Sequence, residues 1–394
     1  MNILYYSPSN CIGGAELSLL EIIKSASNAR QKVFIALPPP KNGDFTYMNM
    51  LRKYCHGIFI VRPMKWHLTK QNSIINRVVS YIYSIILSGW YIFPTLLLIR
   101  IIKLRKIDIV HTNTMMAIEG ALASKILSIK HIWHIREGIG YHDESIVQFP
   151  FQRFPKLFRY LTKNITDVAI VNSFHTKELA KPYFPKRKIK IIYNALHDNW
   201  FVKRKHRSKK NKIVIGVVAN VTSKVKNHKL VISLANHLFN ICTENIIFNI
   251  YGSIPKNDIY FHDLKKHIKD YKLEDVVLFK GVENPDKIYD TIDILFHPFS
   301  KESFGRIYIE AMGKGIPVVA LDGGGAKELI KENITGFKVD NDIIKISEKI
   351  LLLIEKPKIY DKISSNGFEF SVNNFKSSLM WKKLIRVYVK VLKS

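Results

Sequence analysis

The amino-acid sequence predicts an α/β protein with two doubly wound parallel-sheet domains that face each other across a cleft. Apolar, strand-like runs alternate with helical segments in both halves of the chain, which is the order that produces a parallel sheet covered on both faces. The chain has 394 residues, more than one core usually supports, and 47% of them are hydrophobic, so two folded domains are expected. A polar, basic segment separates the halves, as a linker would.

The predicted strands follow one another along both halves. Those of the first half are NILYYS, KVFIALP, IDIVHTN, HIWHIRE, DVAIVNS and IKIIYN. Those of the second half, each ending near Gly, Asn, Asp or Pro, are IVIGVVANV, NIIFNIYG, VVLFKGV, IDILFHPF and IPVVALD. We therefore predict domains over residues 1–196 and 213–374, with a basic linker over 197–212 that includes KRKHRSKKNK. The amphipathic C-terminal helix, about residues 375–394, is expected to pack back on the first domain.

The chain is strongly basic, because 61 Lys and Arg residues against 32 Asp and Glu residues give a formal net charge of +29. This excess implies an anionic partner: nucleic acid, an acidic membrane surface or a phosphorylated substrate. A nucleic-acid-binding protein should show basic and aromatic residues clustered in a recognisable module, and we find none in the sequence. We therefore expect no nucleic-acid partner and keep a basic nucleic-acid-binding protein only as an alternative.

Cysteine usage and apolar runs indicate the compartment. Cys11, Cys55 and Cys242 lack the spacing of a zinc site or a disulfide framework, which favours a reducing cytoplasm. The N-terminal MNILYYSPS predicts a short buried strand rather than a secretion signal. The run at residues 78–99, VVSYIYSIILSGWYIFPTLLLI, is long enough to span a membrane. Small, polar and helix-breaking residues favour instead a buried or membrane-facing pair of helices: Ser80, Ser84, Ser88, Gly89 and Pro94.

Two glycine clusters follow predicted strands. In doubly wound sheets, ligands bind outside the carboxyl ends of the strands, where the free amides of helix N-termini attract phosphate. Gly13 and Gly14 follow the first strand, and Gly323, Gly324 and Gly325 follow IPVVALD. Both clusters would let the backbone approach an anion closely, while tight turns without a ligand are the alternative.

The stretch ESFGRIYIEAMGKGIPVV places two carboxylates around a predicted helix start. Glu302 is predicted in the loop at the carboxyl edge of the sheet, where it could accept hydrogen bonds from two sugar hydroxyls. Glu310 lies about two turns into the helix and could bind the vicinal hydroxyls of a ribose. The backbone amides around Phe304 and Gly305 are then left for a diphosphate. A solvated helix face is the alternative.

In their order, these segments resemble the retaining, nucleotide-sugar-dependent glycosyltransferases of family 4, which have the GT-B fold of two Rossmann-like domains. The resemblance rests on the family's E-x7-E motif in context: DILFHPFSK, Glu302, SFGRIYI, Glu310, AMGKG, IPVVALD and GGGAKELIKENITGF. It extends over most of the chain through GGAE, DIVHTN, DVAIVNS, IIYNALHDN and VANVTSKVKNH.

The resemblance implies roles for the carboxylates and the loop. Glu310 would hold the donor ribose, Glu302 the transferred sugar, and the backbone at Phe304 and Gly305 the diphosphate. These roles agree with those inferred from the residues themselves.

Further residues would bind the leaving diphosphate. Lys226 would neutralise it, and the Gly13–Gly14 loop would approach it from the other domain. Where the family usually has an arginine to pair with that lysine, this chain has Asn220, and Lys224 competes with Lys226 for the role. Lysine and helix amides stabilise a departing phosphate without a metal ion, and no DxD-like site occurs in a comparable loop, so no metal is expected.

In the first domain, the family often has a histidine near the donor sugar, in a strand that corresponds to HIWHIREG. His134 and Arg136 point to the same face of that strand, and either could fill the place. His111 is expected to be a packing histidine at a strand end. Glu137 and Glu119 have no identifiable partner as nucleophiles, which favours a front-face reaction in which the leaving phosphate acts as the base.

The resemblance implies transfer of a sugar from a UDP- or GDP-sugar to a glycan or lipid-linked acceptor, with retention and without a cofactor. Biosynthesis of an envelope polysaccharide such as O-antigen or capsule is the expected setting. Basic and aromatic residues in RKYCHGIFIVRPMKWHLTK and FQRFPKLFRYLTK suit an anionic membrane surface, so we expect a cytoplasmic, peripheral enzyme on the inner membrane face. A GT-B sugar-nucleotide epimerase, which would lack an acceptor site, is the main alternative.

Overall fold

The computed structural model describes residues 1–63, 92–138, 155–204, 212–221, 224–242, 245–255 and 258–394. The chain divides into two compact units. The first consists of Met1–Ala195 with Ser377–Ser394, and the second of Leu196–Lys376. Each is built on one parallel sheet, which confirms the prediction of two doubly wound domains.

Seven strands of the described chain form the sheet of the first unit: β1 (Asn2–Tyr6), β2 (Lys32–Leu37), β3 (Gly57–Ile60), β4 (Ile109–Asn113), β5 (Lys130–Ile135), β6 (Val168–Val171) and β7 (Ile189–Ile191). They lie in the order β3-β2-β1-β4-β5-β6-β7 and pair in parallel. The order reverses beside β1, so β1 and β4 flank the point where ligands usually bind in such sheets.

The helices of the first unit cover both faces of this sheet: α1 (Gly14–Asn28), α2 (Thr46–Arg52), α3 (Ile92–Arg105), α4 (Glu119–Ile126), α5 (Pro155–Ile165), α6 (Phe174–Ala180) and the C-terminal α14 (Ser377–Leu392). One face packs against α1 and α14, and Met380, Leu384 and Tyr388 of α14 are buried in that core. The other face packs against α3 and α4, beside which α5 lies.

The sheet of the second unit has six strands in the described residues: β8 (Ile213–Val218), β9 (Ile246–Tyr251), β10 (Val277–Gly281), β11 (Ile294–His297), β12 (Val318–Leu321) and β13 (Phe337–Val339). Their order is β10-β9-β8-β11-β12-β13. Its helices are α7 (His228–Ile241), α8 (Ile259–Asp270), α9 (Pro285–Thr291), α10 (Arg306–Gly313), α11 (Ala326–Leu329), α12 (Ile343–Glu355) and α13 (Pro357–Phe375).

Helix starts follow local capping chemistry. The Asp258 side chain accepts hydrogen bonds from the amides of Tyr260 and Phe261 and begins α8. Asp342 caps α12 in the same way, and Ser173 caps α6. These caps are encoded locally.

Every strand predicted from the sequence is present, but β3 and β13 were not predicted. They have four and three residues and contain Gly or Lys, so their apolar signal is short. Parallel pairing at the sheet edges, with β2 and β12 respectively, selects their extended conformation.

The beginning of the predicted linker belongs to the second unit. Trp200 Nε1 donates a hydrogen bond to the Glu310 carbonyl, and Arg204 forms an ion pair with Asp293 at 3.1 Å. Residues 205–211 lie outside the described residues.

The apolar run at 78–99 is described only from Ile92, where it begins α3, and residues 78–91 lie outside the described residues. Of the helices that the structure describes, none has the length and apolar character needed to cross a membrane.

Candidate active site

The loop between β11 and α10 positions Glu302. Gly305 precedes α10 with a φ of +86°, and a Cβ atom there would lie 2.2 Å from the Tyr308 ring, so only glycine fits. This turn fixes where α10 begins relative to Glu302. The carboxylate therefore lies at the carboxyl edge of the sheet, as the sequence predicts.

The glycines after β12 support that loop from behind. Gly325 donates its amide hydrogen to the Glu302 carbonyl at 2.7 Å. A Cβ atom at Gly324 would lie 2.2 Å from the same carbonyl oxygen. The close approach predicted for this cluster is thus to the backbone of the glutamate loop itself.

Glu302 has two basic neighbours. Lys226 Nζ lies 2.8 Å from Glu302 Oε2, and His297 Nε2 lies 3.5 Å from the same oxygen. Burial alone would raise the pKa of Glu302, but His297 and the Lys226 ammonium lower it to about 2. Burial lowers the pKa of His297 despite this carboxylate. At neutral pH the cluster therefore contains an ionised glutamate and a neutral histidine.

Lys226 comes from the short 3-10 turn Lys224–Lys226, which leads from β8 into α7. Its Nζ lies 4.2 Å from the centroid of the Phe299 ring, so the ammonium contacts both a carboxylate and an aromatic face. The backbone of Lys224 begins the same turn, and its side chain lies outside the described part of the structure.

Asn220, two residues after the end of β8, is exposed and accepts a hydrogen bond from the Ser253 amide at 2.9 Å. Where an arginine was expected from the resemblance, the structure thus has an amide that ties two loops together.

Glu310 is held on both oxygens. Its Oε1 accepts a hydrogen bond from Arg306 Nε at 2.7 Å, and its Oε2 accepts one from the Tyr289 hydroxyl at 2.8 Å. The side chain is 8% exposed. Each carboxylate oxygen can accept two hydrogen bonds, so both retain acceptor capacity.

The other predicted member of this loop, Phe304, is 2% exposed and packs edge-on against Phe375. Its ring anchors the loop on α13. Phe304 can therefore contribute only backbone groups to a ligand, which is the role the sequence predicts for it.

At the carboxyl edge of the first sheet, Gly13 and Gly14 begin α1. Gly13 is the N-cap residue of α1, and its backbone is extended, with a φ of −147°. No side chain caps this end of the helix. Glu16 in the first turn is 7% exposed. Burial raises the pKa of Glu16, while nearby Arg136 and Ser9 oppose the shift.

Arg136 follows β5 and is held rigidly. Its Nε donates a hydrogen bond to Asn113 Oδ1 and its Nη1 donates one to Asn194 Oδ1, both at 2.5 Å. Beside it, Glu137 accepts hydrogen bonds from the amides of Met115 and Arg136. Glu137 therefore supports the loop.

Arg136 and Glu137 line a cavity of about 660 Å³ at this edge. Its other lining residues come from the loops that follow β1 to β4 and from the start of α1: Pro8, Ser9, Ala15, Glu16, Pro38, Pro39, Arg62, Pro63, Thr114 and Met116. Four prolines and Met116 make much of the wall apolar. Glu119, the other proposed nucleophile, instead accepts a hydrogen bond from the Tyr6 hydroxyl at 3.2 Å in the core.

His134 lies on β5, is 1% exposed, and has its Nδ1 3.2 Å from His111 Nε2. His111 Nδ1 lies 2.5 Å from the hydroxyl of Tyr388 on α14. His111 is fully buried and its ring packs against Tyr5, as expected of a packing residue, but it is the third residue of β4 and does not lie at the strand end. It also joins a buried hydrogen-bond network, which was not predicted. Burial, followed by the charge of Arg136, lowers the pKa of both histidines.

Several residues of these sites were not predicted from the sequence. Tyr289 and Trp200 support Glu310, His297 adjoins Glu302, and Tyr388 binds His111. His297 could have been suspected from its position at the end of a strand, whereas the others carry no local signal. Within the described residues, no group of three or more His, Cys, Asp or Glu side chains could hold a metal ion.

Two family models match the chain. "Glycosyltransferase Family 4" matches residues 12–200, and "Glycosyl transferases group 1" matches residues 198–370. The two matches overlap at residues 198–200, close to the boundary between the two units.

Two curated relatives match this chain at 29% and 24% sequence identity. "Capsular polysaccharide biosynthesis glycosyltransferase CapM" of Staphylococcus aureus is 29% identical over 50% of this chain and 51% of its own length. The chain thus spans about half the length of that relative. An "Uncharacterized 41.2 kDa protein in cps region" of Klebsiella pneumoniae is 24% identical over 74% of this chain and 82% of its own length.

Solved structures share the fold over the whole chain. Anabaena HepE in complex with UDP has a TM-score of 0.79 and 20% identity, covering 99% of this chain and 100% of that chain. TarM of S. aureus in complex with UDP, fondaparinux and α-GlcNAc-glycerol has a TM-score of 0.75 and 14% identity, with full coverage of both chains.

Proposed function

We propose, on the premise that this chain belongs to the glycosyltransferases of the GT-B fold, that it transfers a sugar from a nucleotide-diphosphate sugar to a glycan or lipid-linked acceptor with retention. The observation that carries the proposal is the Lys226–Glu302 ion pair beside the start of α10. It combines a cation for a diphosphate with a carboxylate for sugar hydroxyls at one sheet edge.

Donor binding would use both glutamates. Glu310 is fixed by Arg306 and Tyr289 and keeps acceptor capacity for the two ribose hydroxyls. Lys226 is partly exposed and would exchange Glu302 for the diphosphate, which would free Glu302 Oε2 for the transferred sugar. The backbone at Phe304 and Gly305 would complete the phosphate site. UDP and GDP are the nucleotides proposed, and HepE and TarM structures contain UDP.

Bond cleavage places negative charge on the departing diphosphate. Lys226 and the amides at the start of α10 would stabilise this charge, so the proposed reaction needs neither a metal ion nor a further cofactor. Glu137 and Glu119 both have structural hydrogen-bond partners. We therefore propose a front-face reaction in which the leaving phosphate takes the acceptor proton.

The acceptor would bind at the carboxyl edge of the first sheet, where the cavity lies. His134 or Arg136 would lie nearest the donor sugar. Because relatives include a capsular polysaccharide glycosyltransferase and a protein of a cps region, we propose a role in envelope polysaccharide biosynthesis.

A membrane surface is the second proposed partner. Exposed apolar side chains on α3 and α5 include Phe93, Leu104 and Tyr160, with exposed fractions of 66%, 68% and 64%. Exposed basic residues accompany them, and neither helix contains Asp or Glu: Arg100, Lys103, Arg105, Lys156, Arg159 and Lys163. Rings that enter the headgroup layer and cations that meet anionic lipid would hold the protein peripherally on the inner membrane face.

Vesicle co-sedimentation tests this surface. Binding should require anionic lipid, fall as salt is raised, and weaken in Lys156→Glu/Arg159→Glu. The matched control is Lys266→Glu/Lys269→Glu on α8, which makes the same charge change in the second unit and should bind as the wild type does. Equal partitioning onto neutral and anionic vesicles would contradict the proposal. Residues 151–154 of the predicted segment FQRFPKLFRYLTK lie outside the described residues.

Product analysis tests the catalytic proposal. Purified protein is incubated with a panel of UDP- and GDP-sugars, with and without glycan acceptors and with EDTA, and products are followed by mass spectrometry and by NMR of the anomeric proton. We expect sugar transfer or slow donor hydrolysis, retention, and activity that persists in EDTA. An epimerised nucleotide sugar formed without acceptor would support the epimerase instead, and activity lost in EDTA and restored by Mg²⁺ or Mn²⁺ would overturn metal independence.

A further inference from the structure

His297 is a buried histidine beside Glu302, and among the described residues its ring nitrogens have no hydrogen-bond partner. It is the last residue of β11 and is 1% exposed, and both Nδ1 and Nε2 are buried without such a partner. Its Nε2 lies 3.5 Å from Glu302 Oε2, beyond the roughly 2.7–3.2 Å of an N–H···O hydrogen bond. Leaving a buried polar atom unpaired is unfavourable, which favours an arrangement of the site in which His297 gains a partner.

Lys226 holds the carboxylate away from His297. Its Nζ lies 2.8 Å from the same Glu302 oxygen, and a charge-assisted hydrogen bond of this kind is the stronger of the two contacts. The rings of Phe299 and Tyr308 pack edge-on against the His297 ring and keep it in place. The glutamate side chain, in contrast, is 27% exposed. Movement between the two basic neighbours is therefore open to the carboxylate rather than to the imidazole.

The imidazole can act as a donor toward Glu302. Burial lowers the pKa of His297, so the ring is neutral and has one N–H group and one acceptor nitrogen. An ionised carboxylate can only accept, which favours the tautomer with its proton on Nε2. Because a carboxylate oxygen can accept two hydrogen bonds, a bond from His297 still leaves Glu302 Oε2 able to bind a sugar hydroxyl.

We propose that His297 is a positioning residue that becomes the hydrogen-bond partner of Glu302 when the Lys226 ammonium moves to the diphosphate. The carboxylate then loses its 2.8 Å contact, and the distance to His297 Nε2 shortens from 3.5 Å to about 3.0 Å. This bond holds Glu302 at the sheet edge during sugar transfer. The ligand part of the inference rests on the proposed function, whereas the pairing of Glu302 with His297 after loss of the ammonium does not.

The pairing is tested first without any ligand. Lys226→Met removes the ammonium and keeps an apolar stem, and Lys229→Met is the matched control, because Lys229 pairs with Asp263 on the surface. Histidine-selective ¹⁵N labelling reads the ring of His297, whose signals are assigned by their absence in His297→Gln. The N–H proton in a short, charge-assisted hydrogen bond resonates downfield. We expect the Nε2 proton of His297 to move downfield in Lys226→Met alone. Protonation of His297 on Nδ1, or the same Nε2–H signal in all three proteins, would overturn the proposal.

UDP is the probe for the ligand part. Saturating UDP should shift the His297 Nε2 proton of the wild type downfield, because its diphosphate takes the ammonium of Lys226. It should change this signal little in Lys226→Met, where the bond to Glu302 has already formed. Bound UDP that leaves the wild-type signal unchanged would reject the exchange. If UDP does not bind, the proposed function fails, and the comparison of Lys226→Met with the wild type still decides the pairing of His297 and Glu302.

Kinetics test the positioning role. His297→Phe keeps an aromatic ring and removes both nitrogens, so kcat should fall about tenfold, as for the loss of one hydrogen bond to a charged group, with the Kd for UDP unchanged. His297→Gln keeps an N–H donor and should recover most of the loss. Tyr308→Phe is the control, because it removes a buried hydroxyl that has no hydrogen-bond partner within the described residues, and it should keep the wild-type kcat. A loss in His297→Phe that glutamine does not recover, or an equal loss in Tyr308→Phe, would reject the role of His297.

Discussion

Charged side chains are bound differently at the carboxyl edges of the two sheets. In the second unit, Glu302 and Lys226 form an ion pair whose side chains are 27% and 28% exposed. In the first unit, His111 and His134 are neutral and buried, and Arg136 is bound by the amide oxygens of Asn113 and Asn194. A partly exposed ion pair can exchange one partner for an incoming anion, whereas a buried neutral network holds a fixed geometry. The first arrangement suits a charged donor and the second suits positioning.

The largest effect is expected from removing the cation of the Lys226–Glu302 ion pair. Lys226→Ala removes the cation that would stabilise the departing diphosphate, so kcat should fall about 100- to 1,000-fold, as when one preorganised charge-stabilising group is lost. Lys229→Ala is the control, because Lys229 lies on the next turn of the chain and pairs with Asp263 at 2.6 Å on the surface. Steady-state transfer assays that find equal activity for both variants would refute the role of Lys226.

Glu310→Ala should act on binding instead. The ribose hydrogen bonds to the carboxylate would be lost, and since even one such bond is worth about 1.5–3 kcal/mol, the Kd for the nucleotide should rise at least about tenfold. Tyr289→Phe removes only one hydrogen bond to Glu310 Oε2 and should weaken binding less. Isothermal titration calorimetry with UDP and GDP measures both, and unchanged binding in folded Glu310→Ala would reject the ribose assignment.

The ionisation of Glu302 gives the second edge a pH signature. Its folded pKa of about 2 lies below the ordinary value of 4.5, so its carboxylate stabilises the fold fully above about pH 4.5 and loses this effect as pH falls toward 2. The difference in unfolding free energy between wild type and Glu302→Gln is at most about 3 kcal/mol and should shrink between pH 5 and pH 3. Chemical denaturation of both proteins between pH 5 and pH 3 measures this difference. A difference that grew as the pH fell would contradict the ion pair.

The smallest effect is expected at the carboxyl edge of the first sheet, from a change at Arg136. Arg136→Lys cannot reach both Asn113 and Asn194, since an ammonium lacks the fork of a guanidinium. It should lower the free energy of unfolding by about 1–3 kcal/mol, the cost of an unsatisfied buried acceptor. Arg62→Lys, at an exposed position on the same cavity, is the control and should be nearly neutral. Equal stability of both variants would show that the Arg136 hydrogen bonds are not structural.

Much of this architecture could be predicted because its signals are local. The alternation of apolar strands and helices predicts two parallel sheets, and the glycines and the Glu302–Glu310 spacing predict which loop carries the carboxylates. The edge strands β3 and β13 were missed because their short sequences need a neighbouring strand to become extended. The hydrogen-bond partners of His111 were missed because nothing near it in sequence indicates them.

The sequence by itself determined the fold class, the loop that holds Glu302 and the helix that holds Glu310, since backbone periodicity and turn chemistry act over a few residues. Only the tertiary structure decided which side chains meet. Lys226 reaches Glu302 across 76 positions, and Tyr388 reaches His111 across 277. Such pairs form because parallel strands bring distant loops to one edge and because α14 packs on the first sheet. Their partners, and hence their charge, follow from packing that no local pattern records.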